Sequence, residues 1–274
     1  MFHPARTGLI AALIALALPT LLQAGFSVKD LATAERTMGT LVNVERGHTG
    51  LPALEYDDLL AGVARAHSED MLRRQFFSHT NPDKEGPGDR AVRIHPELIA
   101  RIGENLHHVM ITPGFELSEK MGLDQITREG MASLMKSPGH RANILSPGYD
   151  HVGIGYAASE EEVCITQVFG EEICLLDSPP PRAWPRDSSL IISGRLLAAY
   201  PLAQFAAFLA VPDPKAEYPY GKGRMTIGGR FLAVELLSDR RFRLRFTLDA
   251  DRGDYQLMLG REDKLIPGPV IRMK

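Results

Sequence analysis

Two histidines and one glutamate are the residues of this sequence whose types and settings best suit chemistry. His79 lies in the segment FFSHTNP, Glu104 in GENL, and His140 in SPGHRANIL. Neutral imidazole is a common ligand for zinc, and a carboxylate can complete or orient such a ligand set. The same three groups can also move protons near pH 7, with the glutamate selecting one imidazole tautomer. Because the three residues are far apart in the chain, either chemistry requires a fold that brings them together.

The segment around His140 has a second interpretation, because Ser137 precedes it by three positions. A serine, a histidine and a glutamate are the components of a hydrolytic triad, but Ser137 lacks the Gly-x-Ser-x-Gly pattern of a nucleophile elbow. Serine followed by proline is instead typical of a helix N-cap and the first helical residue. We therefore expect Ser137 to begin a helix rather than to act as a nucleophile.

The elements that must position these residues are helices and short strands. Apolar residues recur at helical spacing between Leu60 and Met71, and His67 falls on that apolar stripe. We therefore interpret His67 as a core histidine, whereas His107 and His108 are expected at the surface. Further helices are predicted over residues 31–46 and 118–136, and strands over 152–157 and 163–169.

The last third of the chain has a different pattern. Phe242, Leu244, Phe246 and Leu248 alternate with polar residues, which is the period of a half-buried strand. Similar runs elsewhere in this region predict several more short strands, as in a small β-sandwich, and we expect an immunoglobulin-like one. The predicted fold class is therefore α+β, with an all-β domain after a mixed one.

A proline-rich stretch over residues 178–187 divides the chain into two parts of opposite charge. It predicts a linker between a first domain over 25–177 and a β-sandwich domain over 188–274. Residues 25–181 carry 14 Lys and Arg against 24 Asp and Glu, while residues 182–274 carry 16 against 10. A basic domain can bind an anionic cell-envelope polymer. The formal net charge of −3 hides this asymmetry. We expect no nucleic-acid partner.

The first 24 residues have the organisation of a secretory signal peptide. His3 and Arg6 precede an apolar run from Leu9 to Leu18, and Ala24 offers a small residue for cleavage. The run is well short of the roughly 20 apolar residues that a helix needs to span a bilayer. We therefore expect a mature chain without a transmembrane segment, exported to a periplasm or to the outside of the cell.

Export affects the interpretation of Cys164 and Cys174, because disulfides persist outside the cytoplasm. If the two cysteines lie on adjacent strands joined through Gly170, they can form a bridge, and that bridge is our expectation. Two free, buried thiols are the alternative.

Several segments in order resemble one known family over roughly half of the chain. They are LPAL at 51–54, HSEDM at 67–71, the three segments around His79, Glu104 and His140, HVGIGY at 151–156 and TQVFG at 166–170. The chain resembles the CAP superfamily of cysteine-rich secretory proteins, antigen 5 and pathogenesis-related proteins. It is most similar to the cysteine-poor bacterial branch, which is called SCP-like. The resemblance does not extend beyond Pro181.

The resemblance implies an α-β-α sandwich with a central cleft that holds two histidines and two acidic residues. His79 and His140 match the histidines, and Glu104 matches one acidic residue, so these three are the implied metal ligands. The second acidic position falls at or near Ser137, which joins them as a ligand-binding residue. The position usually held by tryptophan is Leu134. Losing one carboxylate weakens the expected affinity for a cation.

The resemblance and the residues leave three functions open. The first is binding of a divalent cation such as zinc, or of a small ligand or lipid, in the cleft of His79, Glu104 and His140, without established catalysis. The second is a metal-assisted or His/Glu-dependent hydrolase resembling a protease. The third is an envelope interaction protein that docks through its basic C-terminal domain.

Overall fold

The computed structural model describes residues 26–110, 122–197, 200–211, 228–249 and 253–274. The predicted signal peptide over residues 1–24 lies outside the described residues. Across the described ranges, no helix combines the length and the apolar character that a membrane crossing requires.

Five α-helices lie within the described residues 26–110 and 122–150, and their ends follow local sequence signals. Ser27 and Asp30 form a capping box at the first helix, and the side chain of Asp57 caps the second by accepting a hydrogen bond from the Leu60 amide at 2.6 Å. Gln75 ends the second helix in a left-handed conformation. The helices are α1 (Val28–His48), α2 (Asp58–Arg74), α3 (Pro87–Ile94), α4 (Leu123–Lys136) and α5 (Pro138–Ile144).

The strands in the described ranges form two sheets. The first has the order β1-β3-β4-β6-β10-β9, with β2 also paired to β4, and the second has the order β5-β12-β11-β7-β8. Only the short pairs β1–β3 and β5–β12 are parallel among the described strands. The strands are β1 (Glu55–Tyr56), β2 (Leu98–Met110), β3 (His151–Ala158), β4 (Glu162–Leu176), β5 (Ala183–Trp184), β6 (Ser189–Leu196), β7 (Phe205–Ala210), β8 (Gly229–Leu232), β9 (Val234–Leu236), β10 (Arg241–Thr247), β11 (Asp254–Arg261) and β12 (Lys264–Met273).

Helices cover both faces of the β2–β4–β3 part of the first sheet. On one face, the apolar residues of β3, such as Val152 and Ile154, pack with α1 and α4. On the other face, α2 and α3 pack against β2 and β4. The backbone of α2 lies directly on Gly153 and Gly155, where an added Cβ would be 2.1 Å from backbone nitrogens of the helix. The protein is therefore a mixed α/β structure in this region, consistent with the predicted α-β-α arrangement.

The C-terminal part has its own apolar core, but β4 continues into it. The end of β4 pairs with β6, and Ile173, Cys174 and Leu176 belong to the C-terminal core. Alternating strand residues such as Phe242 and Leu244 fill this core, as their period predicts. The immunoglobulin-like subtype, the linker over 178–187 and the domain limits stay predictions.

The expected bridge between Cys164 and Cys174 is wrong, because both thiols are free and buried. The error lies in placing a turn at Gly170, whereas β4 runs without interruption from Glu162 to Leu176. Ten residues along one strand span roughly 33 Å. The Cα atoms of a disulfide lie within about 7 Å of each other.

Candidate functional site

Glu104 lies on β2, and its carboxylate contacts the side chains of His79 and Arg90. Its Oε1 is 2.8 Å from His79 Nδ1, and its Oε2 accepts a hydrogen bond from Arg90 Nη2 at 2.6 Å. The side chains of Arg90 and Glu104 are only 2% and 1% exposed, so they form a buried ion pair. Both carboxylate oxygens are therefore engaged by protein groups.

His79 lies on the loop that follows α2, and the Arg90 side chain donates hydrogen bonds to the backbone of that loop. Arg90 Nη1 donates to the carbonyl oxygens of His79 at 2.8 Å and Glu85 at 2.9 Å. Because a carboxylate only accepts hydrogen bonds, His79 carries its hydrogen on Nδ1, which leaves the lone pair of the neutral ring on Nε2. The His79 side chain is 53% exposed. The arrangement fixes one tautomer of a solvent-reachable imidazole.

His140 lies on α5, which an amide network attaches to β2. The Asn105 side chain donates to the His140 carbonyl at 3.0 Å, and the Asn143 side chain donates to the Glu104 carbonyl at 3.1 Å. Burial lowers the pKa of the His140 imidazole, and the charge of His79 lowers it further. The His140 ring is therefore biased toward the neutral form beside His79, and neutral imidazole is the form that binds metals.

Ser137 occupies the N-cap position of α5, and Pro138 is the first helical residue, as predicted. Within the part of the chain that the structure describes, however, the Ser137 side chain makes no capping hydrogen bond to the helix. Leu134, at the position that the resemblance assigns to tryptophan, lies on α4 and is buried in the core that α4 shares with α1 and β3.

His67 is fully buried, so its interpretation as a core histidine is confirmed. Its role next to Glu104 was not predicted: its Nε2 is 3.1 Å from the Ser78 carbonyl oxygen and 3.9 Å from Glu104 Oε1. Burial lowers the pKa of His67. His67 thus lies in the interior, and its ring contacts the backbone of the loop that carries His79.

Sequence reasoning missed Arg90, and it misplaced two histidines. Arg90 lies on the short helix α3, outside the motifs that identified the other residues, so no local signal marks it as a site residue. His107 and His108 are half-buried rather than exposed. His107 packs against Gly130 of α4, and His108 Nε2 lies 2.5 Å from Glu162 Oε2.

The structure brings His79 and Glu104 into contact, and it attaches α5, which carries His140, to β2 through the side chains of Asn105 and Asn143. In the described residues, only one group of three His, Cys, Asp or Glu side chains has all its ligand atoms within 4.8 Å of one another. That group is His108, Glu162 and Cys164. Glu104 contacts His79 Nδ1 and therefore orients the His79 ring.

Comparison with known proteins gives a consistent match over this region. Residues 40–169 match the model of the cysteine-rich secretory protein family, CAP. The chain is 33% identical over 130 residues to the uncharacterized protein YkwD of Bacillus subtilis (strain 168), covering 47% of this chain and 45% of that protein. It is 31% identical over 130 residues to the uncharacterized membrane protein YlbC of the same strain, covering 46% of this chain and 32% of that protein. The chain thus spans less than half the length of these curated relatives.

Solved structures also resemble part of the chain. An extracellular protein containing an SCP domain from Bacillus anthracis str. Ames has a TM-score of 0.42 and 25% identity, over 53% of this chain and 44% of that one. An outer surface protein from Borrelia burgdorferi has a TM-score of 0.42 and 17% identity, over 52% of this chain and 96% of that one.

Proposed function

Because residues 40–169 form a CAP domain of the bacterial SCP-like type, we propose that the protein is exported and binds a divalent cation or small ligand at His79 and His140. This first candidate function is binding without established catalysis. Export is supported by the signal-peptide pattern of the first 24 residues.

The observation that carries this proposal is the hydrogen bond between His79 Nδ1 and Glu104 Oε1 at 2.8 Å. A metal-binding histidine commonly donates its other ring nitrogen to a carboxylate, which fixes the tautomer and the ring orientation. Arg90 holds that carboxylate from its other side. His79 is therefore prepared to bind through Nε2, with Glu104 as the orienting group rather than a direct ligand.

The donor set fits a weakly held cation. His79 and His140 supply two neutral imidazoles, and Ser137 lies where the family resemblance places a second carboxylate. Zinc sites usually have three or four protein ligands. With two imidazoles, a zinc ion keeps several water ligands, and these can be exchanged for the polar groups of a small ligand.

We expect His79→Ala and His140→Ala each to weaken zinc binding by at least about tenfold, since even residues that only orient a ligand change affinity by about 10–100-fold. The measurement is a calorimetric zinc titration of the full chain carrying Cys164→Ala, so that a thiol site does not contribute. His48→Ala is the matched control, because His48 is exposed at the end of α1. Equal zinc affinity in the site variants and the control would contradict the proposal.

A hydrolase is the second candidate, and the His79–Glu104 hydrogen bond is the observation that favours it. The same bond prepares His79 Nε2 to accept a proton from water or a hydroxyl. Incubation of the full chain with casein and ester substrates tests this candidate. Turnover that His79→Ala abolishes and His48→Ala preserves would favour hydrolysis over simple binding.

An envelope-docking role is supported by a row of arginines on the first sheet. Arg241, Arg243 and Arg245 occupy alternate positions of β10, whose intervening residues are buried, and Arg195 lies opposite Arg241 on β6. Asp177 and Glu235 pair with two of these arginines. The basic surface formed by these four arginines is therefore only partly neutralised.

We expect binding of the full chain to purified bacterial envelopes to fall severalfold in a variant with Arg195→Ala and Arg245→Ala. Binding of the wild type should also fall as salt rises from 0.1 M to 1 M, since the screening length shortens from about 10 Å to about 3 Å. A cosedimentation assay measures both effects. Arg128→Ala is the control, because Arg128 is exposed on α4. Salt-insensitive binding would exclude the electrostatic account.

A further inference from the structure

A second group of metal-ligating side chains lies at the end of the β2–β4 pair. The ligand atoms of His108, Glu162 and Cys164 all lie within 4.8 Å of one another. We propose that these three side chains bind a divalent cation of the zinc class, at a site separate from the His79 cleft. The family resemblance assigns no role to any of the three.

The register of the strands places these residues on one face. His108 and Cys164 are direct cross-strand partners, and Glu162 pairs with Met110, two residues further along β2. Since side chains alternate along a strand, the three side chains project to the same side of the sheet. Directly opposed residues have Cβ atoms about 5 Å apart. Two neighbouring strands can thus direct three donors at one ion.

The donor types select the metal. The group offers one imidazole nitrogen, one carboxylate oxygen and one sulfur, and imidazole with thiolate favours zinc over magnesium or calcium. Bonds of about 2.3 Å to sulfur and 2.0–2.1 Å to nitrogen place tetrahedral donors roughly 3.5 Å apart. The three ligand atoms already lie within 4.8 Å of one another, close to that spacing.

The site is prepared and solvent can reach it. Phe77 stacks on the His108 ring at a centroid distance of 5.3 Å. Without a cation, His108 Nε2 and Glu162 Oε2 are hydrogen-bonded to each other at 2.5 Å. A bound cation takes the place of the hydrogen between them, and the neutral ring then carries its hydrogen on Nδ1. The side chains of His108 and Glu162 are each 23% exposed. Three protein donors and this access leave a fourth position for water, which is the coordination of an open zinc site.

Cys164 supplies the chemistry that distinguishes this site. The Cys164 side chain is a free, buried thiol, and a cysteine binds a metal through its deprotonated sulfur. Cation binding forms the sulfur–metal bond and releases the thiol proton to water. The cation also balances the charges of the thiolate and of Glu162, which would otherwise repel each other in a buried setting.

The site is separate from the His79 cleft. Glu104 and His108 lie on the same face of β2 but are four residues apart, which is about 13 Å along a strand. Leu106 lies between them in the sequence and packs with Met71 and Cys164 in a small apolar cluster. Occupancy of one site can therefore be measured while the other is disabled.

The test is a titration of the reduced full chain with cobalt(II) as the zinc probe. Cobalt bound to a thiolate gives a sulfur-to-metal charge-transfer absorption band, which a site of histidine and carboxylate does not give. We expect one equivalent of cobalt to produce this band in the wild type. Cys164→Ala should abolish it, and His108→Asn should weaken cobalt binding at least about tenfold.

Two controls keep the result specific. Cys174→Ala removes the other free buried thiol, and it should leave the band intact. His79→Ala together with His140→Ala should also preserve it, so failure of the cleft proposal and failure of this one give different spectra. The absence of a charge-transfer band in the wild type at saturating cobalt, or its persistence in Cys164→Ala, would overturn the proposal without requiring any other variant to fold.

Discussion

Replacing Glu104 with alanine is expected to lower the free energy of unfolding by about 3–5 kcal/mol, the range for removing one partner of a buried ion pair. The Arg90 guanidinium, which is 2% exposed, would keep its charge in the interior without the carboxylate that balances it. His79 would also lose the acceptor of its Nδ1 hydrogen. Urea unfolding followed by circular dichroism measures the loss.

A double variant separates the effect of the buried charge on stability from the effect of lost packing. Arg90→Met combined with Glu104→Leu removes both charges and retains apolar volume, and such replacements of buried ion pairs are often neutral or stabilising. We therefore expect it to recover most of the stability that Glu104→Ala loses. The control is Glu129→Ala on the exposed face of α4, which should change stability by no more than about 0.5 kcal/mol. A loss below about 1 kcal/mol for Glu104→Ala would contradict the ion-pair account.

Gly153→Ala is expected to destabilise the protein by about 3 kcal/mol or more, at the upper end of the cost of overpacking a core. The added Cβ would lie 2.1 Å from the Ala61 nitrogen and 2.2 Å from the Leu60 carbonyl carbon. These are backbone atoms of α2, so no side-chain rotation relieves the overlap. The helix must move away from the sheet. The measurement is the midpoint and slope of urea unfolding.

The matched control for Gly153 is Gly88→Ala on α3. A Cβ at Gly88 meets nothing within 4 Å, so this substitution should be neutral or stabilising by roughly 0.5–1 kcal/mol through backbone entropy.

Since α2 carries His67 and leads into the loop of His79, we also expect Gly153→Ala to weaken zinc binding in the cleft. Equal stability of the two alanine variants would show that α2 tolerates displacement from β3.

Local patterns predicted much of the framework correctly. The stripe between Leu60 and Met71 lies within α2, and the strands expected over 152–157 and 163–169 lie within β3 and β4. The alternation at Phe242 is that of β10. These predictions succeed because helical and strand periods are properties of neighbouring residues, and burying one face of each element requires them.

The sequence could not predict features that depend on strand register. Gly170 indicated a turn, but β4 continues through it, and this one error produced the incorrect disulfide. The same register places Cys164 opposite His108. Periodicity says which face a strand residue occupies, but the partner strand is decided by packing over the whole sheet.

By itself, the sequence determined the residue types of the proposed site, the type of most elements and the resemblance to the CAP family. Only the tertiary structure decided that Arg90 engages Glu104, that Glu104 orients His79, and that a thiol joins His108 and Glu162. The physical reason is distance. Hydrogen bonds, ion pairs and ligand sets act over a few ångströms between residues that lie far apart in the chain, and those contacts exist only after the helices and strands have packed.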